Sequence, residues 1–310
     1  MGAVPFGGDS RFDSLTGSFG GGNMTLCIAW IRTRKLEESL YMIADSRFTG
    51  GDCFDGCPKL FPLGRGDCAL ACAGATEFSY PIVDHIQRSI ALNIKSFTRA
   101  LDFCDLCHVV VDITNRCLMD VMEAYVDEGK GPDFQMIFAG YSVIKGKFDI
   151  RLIEYDKRAN KMFAHKTRFY NMKPFAIIGD HDEGANYVSQ YKADMFRALE
   201  GRNVIDMEPL DVLMDYINNG EIRSIGGHPQ MLKITKFLQT LPFGFYHDKG
   251  DGDYDLSYFG RNLLKYETFP YPIYDLDTKE QFYMKGIVEK LRREHEETEP
   301  LRAFERRMEL

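Results

Sequence analysis

The order of apolar and polar positions predicts strands at the start of the folded part of the chain, followed by a pair of helices. The runs TLCIAWI and SLYMIADSR, from Thr25 onward, are short, apolar and separated by a charged turn, which predicts a β-hairpin. The run LFPLGRGDCALACAG predicts a second strand pair, with Gly-Arg-Gly as its turn. From Thr76 to about Asp127 the only glycine or proline is Pro81, and apolar residues recur at helical spacing, so this stretch predicts two successive helices.

The second half of the chain repeats this order. The runs DFQMIFAGYS, FDIRLIEYD, KMFAHKTRF and PFAIIGD predict strands, and two helices that end at Gly201 and Gly220 follow them. A last strand is predicted in GGHPQMLKITKF. Helices in two separate pairs around antiparallel strands predict an α+β fold, a four-layer αββα sandwich with two sheets face to face and the helices outside.

Three segments are predicted along the 310 residues. Residues 1–24 are rich in glycine and serine and predict a flexible tail or pro-segment. Residues 25–240 carry the αββα pattern. Residues 241–310 form a C-terminal extension that begins as a tyrosine-rich, loop-like stretch and is predicted to end in a charged helix.

Composition narrows the compartment and the partners. The net charge of −8 disfavours general binding to nucleic acid or to an anionic membrane, because both need a basic surface. No run reaches the roughly 18 apolar residues of a membrane span, and the first 23 residues lack the basic start and apolar core of a secretory signal. Several of the 8 cysteines lie inside apolar runs, where free thiols pack as small hydrophobic groups. A cytoplasmic chain with reduced thiols is therefore expected.

Four pieces of sequence in one order point to chemistry. Thr25 opens the first strand, ADSR (44–47) closes the second, CPKLFPL (57–63) opens the third, and ACAGATE (71–77) leads into the first helix. In this order the sequence resembles the β-type subunits of the proteasome and their bacterial relatives of the HslV and Anbu kind, within the N-terminal-nucleophile (Ntn) hydrolases. The resemblance is clearest from Thr25 to about Ile90 and continues more weakly to about residue 236.

The resemblance implies a threonine nucleophile. In that family the mature chain begins with threonine, whose hydroxyl attacks and whose free α-amine, with an ordinary pKa of about 8, accepts the proton. Matched motif to motif, Thr25 is the nucleophile, Lys59 is the active-site lysine, and Asp45 is the aspartate that orients it. Arg47 matches an arginine that supports Asp45, and the backbone N–H of Gly74 matches the donor to the developing oxyanion.

The outer part of the predicted site departs from the family's pattern. Where the proteasome often has Gly-Ser-Gly, this chain has GDHDEG, which places Asp180 near the usual serine. The later Asp-x-x-Ser element is replaced by EIRS, which supplies Glu221 and Ser224. Both substitutions keep a polar group, so these three residues are predicted to support the site. The segment between Thr25 and Asp45 is also about four residues longer than usual, which the turn RTRKLEES can absorb.

A free amine on Thr25 requires that no residue precede it. If translation starts at Met1, the Met24–Thr25 bond has to be cut, by Thr25 itself if the chain behaves as the family's pro-segments do. If the functional start is Met24, ordinary removal of the initiator methionine exposes Thr25. Both routes stay open from the sequence.

By resemblance, the expected activity is amide-bond hydrolysis by a threonine-type peptidase within a ring-shaped homo-oligomer. Its substrates are peptides or proteins, no cofactor or metal is expected, and an ATPase that unfolds substrates is a partner by analogy with HslV. Two alternatives stay open. One is a non-catalytic scaffold subunit that keeps residues 1–24, and the other is a non-proteolytic amidase of the same superfamily, because this fold hosts several amide chemistries.

Two other motifs have simpler interpretations. CDLCH, from Cys104 to His108, matches a haem-attachment pattern and half of a zinc site, but it lies within a helical pattern where buried thiols are the better account. The alternating aspartates from Asp251 lack the glycine and the final glutamate of an EF-hand loop, and they predict a solvated loop.

Overall fold

The computed structural model describes residues 25–35, 37–49, 53–119, 131–179, 187–250, 253–264 and 267–284. The first part contains strands β1 (Leu26–Arg34), β2 (Glu37–Ala44), β3 (Arg47–Phe48), β4 (Phe54–Asp55), β5 (Leu60–Pro62) and β6 (Cys68–Gly74), then helices α1 (Thr76–Leu92), α2 (Ile94–Phe97) and α3 (Phe103–Met119). The middle part contains strands β7 (Phe134–Ser142), β8 (Lys147–Asp156), β9 (Lys161–Lys166), β10 (Arg168–Tyr170) and β11 (Lys173–Gly179), helices α4 (Tyr187–Ala198) and α5 (Glu208–Asn219), and strands β12 (Gln230–Thr235) and β13 (Thr240–Pro242). The last part adds strands β14 (Gly244–Gly250), β15 (Asp253–Tyr258), β16 (Arg261–Asn262), β17 (Ile273–Asp275) and β18 (Gln281–Phe282).

The hairpins and the helix pairs lie where the sequence pattern predicts them. Strands β1 and β2 pair antiparallel, as do β5 and β6. The long helical stretch is divided at Asn93, whose side chain accepts hydrogen bonds from the amides of Lys95 and Ser96 and so caps α2. The predicted continuation of α3 beyond residue 119 falls on residues 120–130, which lie outside the described part of the chain.

Two sheets make up the body of the molecule. A six-stranded sheet has the order β10-β11-β1-β2-β12-β13, and a five-stranded sheet has the order β5-β6-β7-β8-β9. Every strand pair in these two sheets is antiparallel. Among the described residues the architecture is mixed α/β, since mostly antiparallel sheets are combined with a few helices.

Three buried clusters hold these elements together. In the first, alternate residues of β1, such as Ile28 and Trp30, pack with Tyr191 of α4 and Leu213 of α5. The intervening residues of β1, such as Cys27 and Ala29, belong to a cluster shared with β6, β7 and β8 of the five-stranded sheet. A third cluster joins the five-stranded sheet to α1 and α3. Because successive side chains of a strand leave on opposite faces, strands that are buried on both faces are apolar along nearly their whole length.

The C-terminal extension differs from the loop-like stretch that the sequence predicted. It forms a five-stranded sheet with the order β16-β15-β14-β17-β18, in which β14 and β17 are parallel. Tyr246, Leu256, Phe269 and Ile273 form a small apolar cluster of their own. Strand β15 explains the error, because Tyr254, Leu256 and Tyr258 alternate there with Asp255 and Ser257. The polar half of this alternation resembles a solvated loop.

The extension is packed into the body of the molecule. Strand β13 spans the expected boundary at residue 240 and pairs with β12 of the six-stranded sheet. Phe243, Phe245 and Tyr274 lie in the same buried cluster as helices α4 and α5. The charged helix predicted over residues 279–310 is wrong at its start, where Gln281–Phe282 form β18 and pair with β17. Its residues 285–310 lie outside the described part of the chain. Among the helices that are described, none is long and apolar enough to cross a membrane.

Candidate active site

The ends of several strands meet at one edge of the two larger sheets. Strands β1 and β2 pair with Cys27 opposite Ala44, so the start of β1 lies beside the end of β2. Strand β12 begins at Gln230, which is also opposite Ala44. In the other sheet, Lys59 directly precedes β5, and Gly74 is the last residue of β6. The antiparallel topology therefore brings residues that are far apart in the sequence to one place.

Asp45, directly after β2, is the centre of this arrangement. Its side chain is fully buried and accepts four hydrogen bonds. Oδ1 accepts from the Lys59 ammonium at 2.8 Å and from the backbone N–H of Leu26 at 3.0 Å. Oδ2 accepts from the backbone N–H groups of Arg47 at 3.1 Å and Gly226 at 3.2 Å. A buried carboxylate is stable only when its oxygens are satisfied in this way.

Lys59 is a buried cation that connects the two sheets. Its side chain is 6% exposed and its ammonium lies 2.8 Å from Asp45 Oδ1. Its own carbonyl accepts a hydrogen bond from the amide of Cys72 on β6, which attaches it to the five-stranded sheet. The ion pair therefore joins the end of β2 in one sheet to the start of β5 in the other, directly beside the first residue of β1.

The loop before Lys59 is held against helix α1 by a tyrosine. The hydroxyl of Tyr80 donates to the carbonyl of Pro58 at 2.8 Å and lies 2.6 Å from the Cys57 thiol. Burial, together with the hydrogen bond to Cys57, raises the pKa of the Tyr80 phenol. The phenol therefore keeps its proton at neutral pH and remains a donor to this loop.

Thr25 directly precedes the first residue of β1. Its carbonyl approaches Gly179 of β11 so closely that a Cβ at that glycine would be 2.5 Å away. By the alternation of β1, the Thr25 side chain is on the same side as Cys27 and Ala29, which is the side of the cluster between the sheets. Thr25 is half-buried, and the amide of the next residue, Leu26, is bound to Asp45.

Gln230 is a site residue that the sequence reasoning missed. Its side chain is fully buried and makes three hydrogen bonds to backbone groups of the site. Its Oε1 accepts from the amide of Lys59 at 3.0 Å, and its Nε2 donates to the carbonyls of Asp45 at 3.0 Å and Cys57 at 2.8 Å. The available signal was a glutamine at the start of a predicted strand, directly before the apolar residues Met231 and Leu232.

The Gln230→Glu substitution tests this bridge. A carboxylate has no N–H to give to the two carbonyls that Nε2 now serves, so we expect a loss of about 3 kcal/mol in the free energy of unfolding. Gln239→Glu, at an exposed position after the other end of β12, makes the same chemical change and is expected to leave stability nearly unchanged. The measurement is denaturant unfolding of both variants beside the wild type. Equal stability of the two variants would show that the bridge contributes little.

Arg47 supports Asp45 through its main chain, and its guanidinium has a different partner. Nε and Nη2 form a bidentate ion pair with Asp55 of the short strand β4, at 2.6 and 2.7 Å. The hydrogen bonds between the two side chains are the main reason why the pKa of Arg47 is raised and the pKa of Asp55 is lowered. Nη1 also donates to the carbonyl of Arg223 at 3.3 Å. Arg47 therefore contacts Asp45 through its backbone N–H, whereas the β3–β4 hairpin presents Asp55 to its guanidinium.

The outer residues of the predicted site lie in different surroundings. Ser224 is buried, and its hydroxyl has no hydrogen-bond partner among the residues that the structure describes. Glu221, at the start of the same loop, is exposed. This loop contributes to the site through the Gly226 amide, which binds Asp45. Asp180 falls outside the described residues.

The cysteine motif lies on helix α3, away from these strand ends. Cys104 is partly exposed and Cys107 is buried in the cluster beneath α1 and α3. Burial raises the pKa of the Cys107 thiol to about 12. In the described part of the chain, no group of three or more histidine, cysteine, aspartate or glutamate residues is placed to hold a metal ion.

The chain is similar to two solved structures of Anbu proteins. One is the Anbu (Gly-1) mutant from Hyphomicrobium sp. strain MC1, at 18% sequence identity and a TM-score of 0.46. The other is the helical assembly of the Anbu complex from Pseudomonas aeruginosa, at 16% identity and a TM-score of 0.49. Each match covers 70% of this chain and 84% of the other chain. No family model and no curated protein matches the sequence.

Proposed function

We propose that this chain is a threonine-type amide-bond hydrolase with the four-layer αββα architecture of the Ntn hydrolases, and that Thr25 is its nucleophile. The observation that carries the proposal is the shared carboxylate oxygen of Asp45. It binds the Lys59 ammonium at 2.8 Å and the amide of Leu26, the residue after Thr25, at 3.0 Å. One oxygen atom thus ties a buried cation to the chain segment that carries the nucleophile.

The proposed reaction uses groups that belong to the chain. The Thr25 hydroxyl oxygen attacks the carbonyl carbon of the amide, and the free α-amine of Thr25 accepts the hydroxyl proton. The Lys59 ammonium favours the neutral form of that amine by its charge and stabilises negative charge that develops on the threonine oxygen. The backbone N–H of Gly74 donates to the oxyanion of the tetrahedral intermediate.

The second half of the reaction restores the enzyme. The C–N bond breaks as the α-amine returns its proton to the leaving amine, which leaves an ester between Thr25 and the acyl group. A water molecule then adds to the ester carbonyl and gives its proton to the α-amine. When the C–O bond breaks, that proton returns to Thr25, and the carboxylic acid is released. The same proposal includes peptide or protein substrates and a ring-shaped homo-oligomer.

The test is the mass and N-terminal sequence of the purified chain expressed from Met1, beside a Thr25→Ala variant. We expect the wild type to begin at Thr25 and the variant to retain residues 1–24, since the alanine cannot attack the preceding bond. Thr25→Ser, which keeps a hydroxyl, is expected to be processed. All three proteins are then assayed on a peptide library and on a panel of small amides, which distinguishes a peptidase from an amidase.

Other outcomes of this test have definite meanings. If both the wild type and Thr25→Ala begin at residue 25, the tail is removed by another agent. The assignment of Thr25 as the nucleophile then depends on whether the alanine variant loses hydrolysis. If the assembled wild type keeps its first 24 residues and does not hydrolyse any amide, the threonine mechanism is wrong for that form. A scaffold subunit is then the better description, unless expression from Met24 restores hydrolysis.

A further inference from the structure

Ser46, the residue after Asp45, is fixed by its main chain. Its amide donates to the carbonyl of Gly226 at 3.0 Å, and its carbonyl accepts from the amides of Gly56 and Cys57 at 3.1 and 2.9 Å. Ser46 is fully buried, yet its hydroxyl has no hydrogen-bond partner among the residues that the structure describes. The hydroxyl therefore contributes bulk at this position, and the backbone makes the hydrogen bonds.

Two glycines from distant parts of the chain pack directly against this side chain. Gly260, in the turn between β15 and β16, lies so close that a Cβ there would overlap the Ser46 Cβ and would be 3.0 Å from its Oγ. Gly227, in the loop before β12, would overlap the Ser46 Oγ in the same way. A Cβ at Gly260 would also lie 3.3 Å from the Cα of Gly56. Ser46 is thus enclosed by three backbone segments.

The turn at Gly260 belongs to the C-terminal sheet. Its position is fixed by Phe259, which packs against the cluster between the two larger sheets. Gly260 has φ = +85°, a backbone conformation that favours glycine. The C-terminal sheet therefore reaches the residue next to the central carboxylate of the candidate active site.

We propose that the Phe259–Gly260 turn of the C-terminal sheet is a positioning element of the candidate active site, which holds Asp45 in place through Ser46. Asp45 and Ser46 are consecutive, and both are bonded to Gly226: its N–H donates to Asp45 Oδ2 and its carbonyl accepts from the Ser46 amide. A displacement of Ser46 therefore changes the bonds of Asp45 as well. The catalytic consequence rests on the proposed function, whereas the positioning itself does not.

The experiment measures the positioning directly by amide hydrogen exchange at Leu26 and Gly226, whose N–H groups bind the two oxygens of Asp45. In Gly260→Ala we expect exchange at both amides to accelerate by about tenfold or more. Gly64→Ala is the matched control, because Gly64 also has positive φ, at +75°, but a Cβ there would meet nothing within 4 Å. The control carries the same backbone strain and is expected to leave both amides protected.

Rescue variants separate the contact from general destabilisation. Ser46→Gly removes the Cβ that Gly260→Ala would overlap, so the double variant is expected to regain slow exchange. Ser46→Ala keeps that Cβ and should not rescue Gly260→Ala, but it should rescue Gly227→Ala, which overlaps the Oγ. If Gly260→Ala does not fold, the Ser46→Gly/Gly260→Ala double variant provides the test. A double variant that folds with slow exchange at Leu26 and Gly226 supports the contact between Ser46 and Gly260.

Two results would overturn the proposal. One is unchanged exchange at Leu26 and Gly226 in Gly260→Ala, and the other is a Ser46→Gly/Gly260→Ala protein that remains unprotected or unfolded. Hydrolysis is measured on the same proteins but does not enter this decision. A chain that hydrolyses no amide can therefore still confirm the positioning, and an active chain can still contradict it.

Discussion

The Asp45→Asn variant is expected to lose about 3 to 5 kcal/mol in the free energy of unfolding and about 10²- to 10⁴-fold in amide hydrolysis. The reason is the pattern of donors around the side chain. All four partners of the carboxylate are donors, two on each oxygen. An asparagine has one acceptor oxygen and one N–H₂ group, so in either orientation its N–H₂ faces two N–H or ammonium groups.

The loss extends beyond the hydrogen bonds. The substitution also leaves the Lys59 ammonium, which is 6% exposed, without its negative partner. Removing one partner of a buried ion pair lowers the free energy of unfolding by far more than the intact pair contributes to it. Both the fold at the strand ends and the electrostatics proposed for Thr25 therefore depend on the negative charge of Asp45.

Asp55→Asn is the matched control for Asp45→Asn. It makes the same chemical change at an aspartate that is also paired with a cation, Arg47, but this side chain is 41% exposed. An exposed pair contributes about 1 kcal/mol or less, so we expect a small change in stability and most of the hydrolysis retained. Unfolding by denaturant and single-turnover hydrolysis provide the two measurements. Similar losses in the two variants would contradict a special role for Asp45.

The parts of this fold that were predictable from the sequence are those with a local signal. The β1–β2 hairpin and helices α1 and α3 follow from periodicity within one segment, and they lie where that periodicity placed them. The hairpin and the two helices are encoded by neighbouring residues. Asp45 and Lys59 were instead identified through the resemblance to the proteasome family, and the structure pairs them across 14 positions of sequence.

Contacts that depend on packing between distant segments were not predictable in this way. Gln230 binds backbone groups of residues 171 to 185 positions away, which only the placement of β12 beside β2 brings near. The approach of Gly260 to Ser46 depends on the fold of the C-terminal sheet, whose shortest strands have two residues. Its alternating polar residues conceal those strands.

Arg47 shows that a residue matched through a motif can make its contact through the main chain. The motif placed an arginine beside Asp45, but the atom that binds Asp45 is the backbone N–H, which nearly every residue type has. The guanidinium instead pairs with Asp55 across the two-residue strands β3 and β4. Side-chain identity in a motif therefore does not show which atom makes the contact.

The Lys59→Met variant is expected to abolish most hydrolysis, by about 10²- to 10⁴-fold, while losing less stability than Asp45→Asn. Methionine approximates the length of the lysine stem and fills its buried position without the charge. Asp45 then keeps three backbone N–H donors, from Leu26, Arg47 and Gly226, so the remaining carboxylate is still partly satisfied. We expect a destabilisation of about 2 to 3 kcal/mol.

Lys279→Met is the control for this substitution. Lys279 also pairs with an aspartate, Asp211, at 2.8 Å, but its side chain is 57% exposed. Loss of that pair is expected to change stability by about 1 kcal/mol or less and to leave hydrolysis intact. A Lys59→Met protein with the activity of the control would remove Lys59 from the proposed mechanism.

The Asp45→Asn/Lys59→Met double variant separates the structural role of the ion pair from its chemical role. Because each single variant leaves a buried charge without its partner and the double variant leaves neither, its loss of stability is expected to be smaller than the sum of the two single losses, by about 1 to 3 kcal/mol. If the pair served only to hold the strand ends together, hydrolysis would follow stability, and the least destabilised of the three variants would be the most active. If Lys59 acts electrostatically on the amine and hydroxyl of Thr25, Lys59→Met and the double variant are both nearly inactive, whatever their stability. We expect the second result, because no other buried ammonium or guanidinium in the described part of the chain is bonded to Asp45.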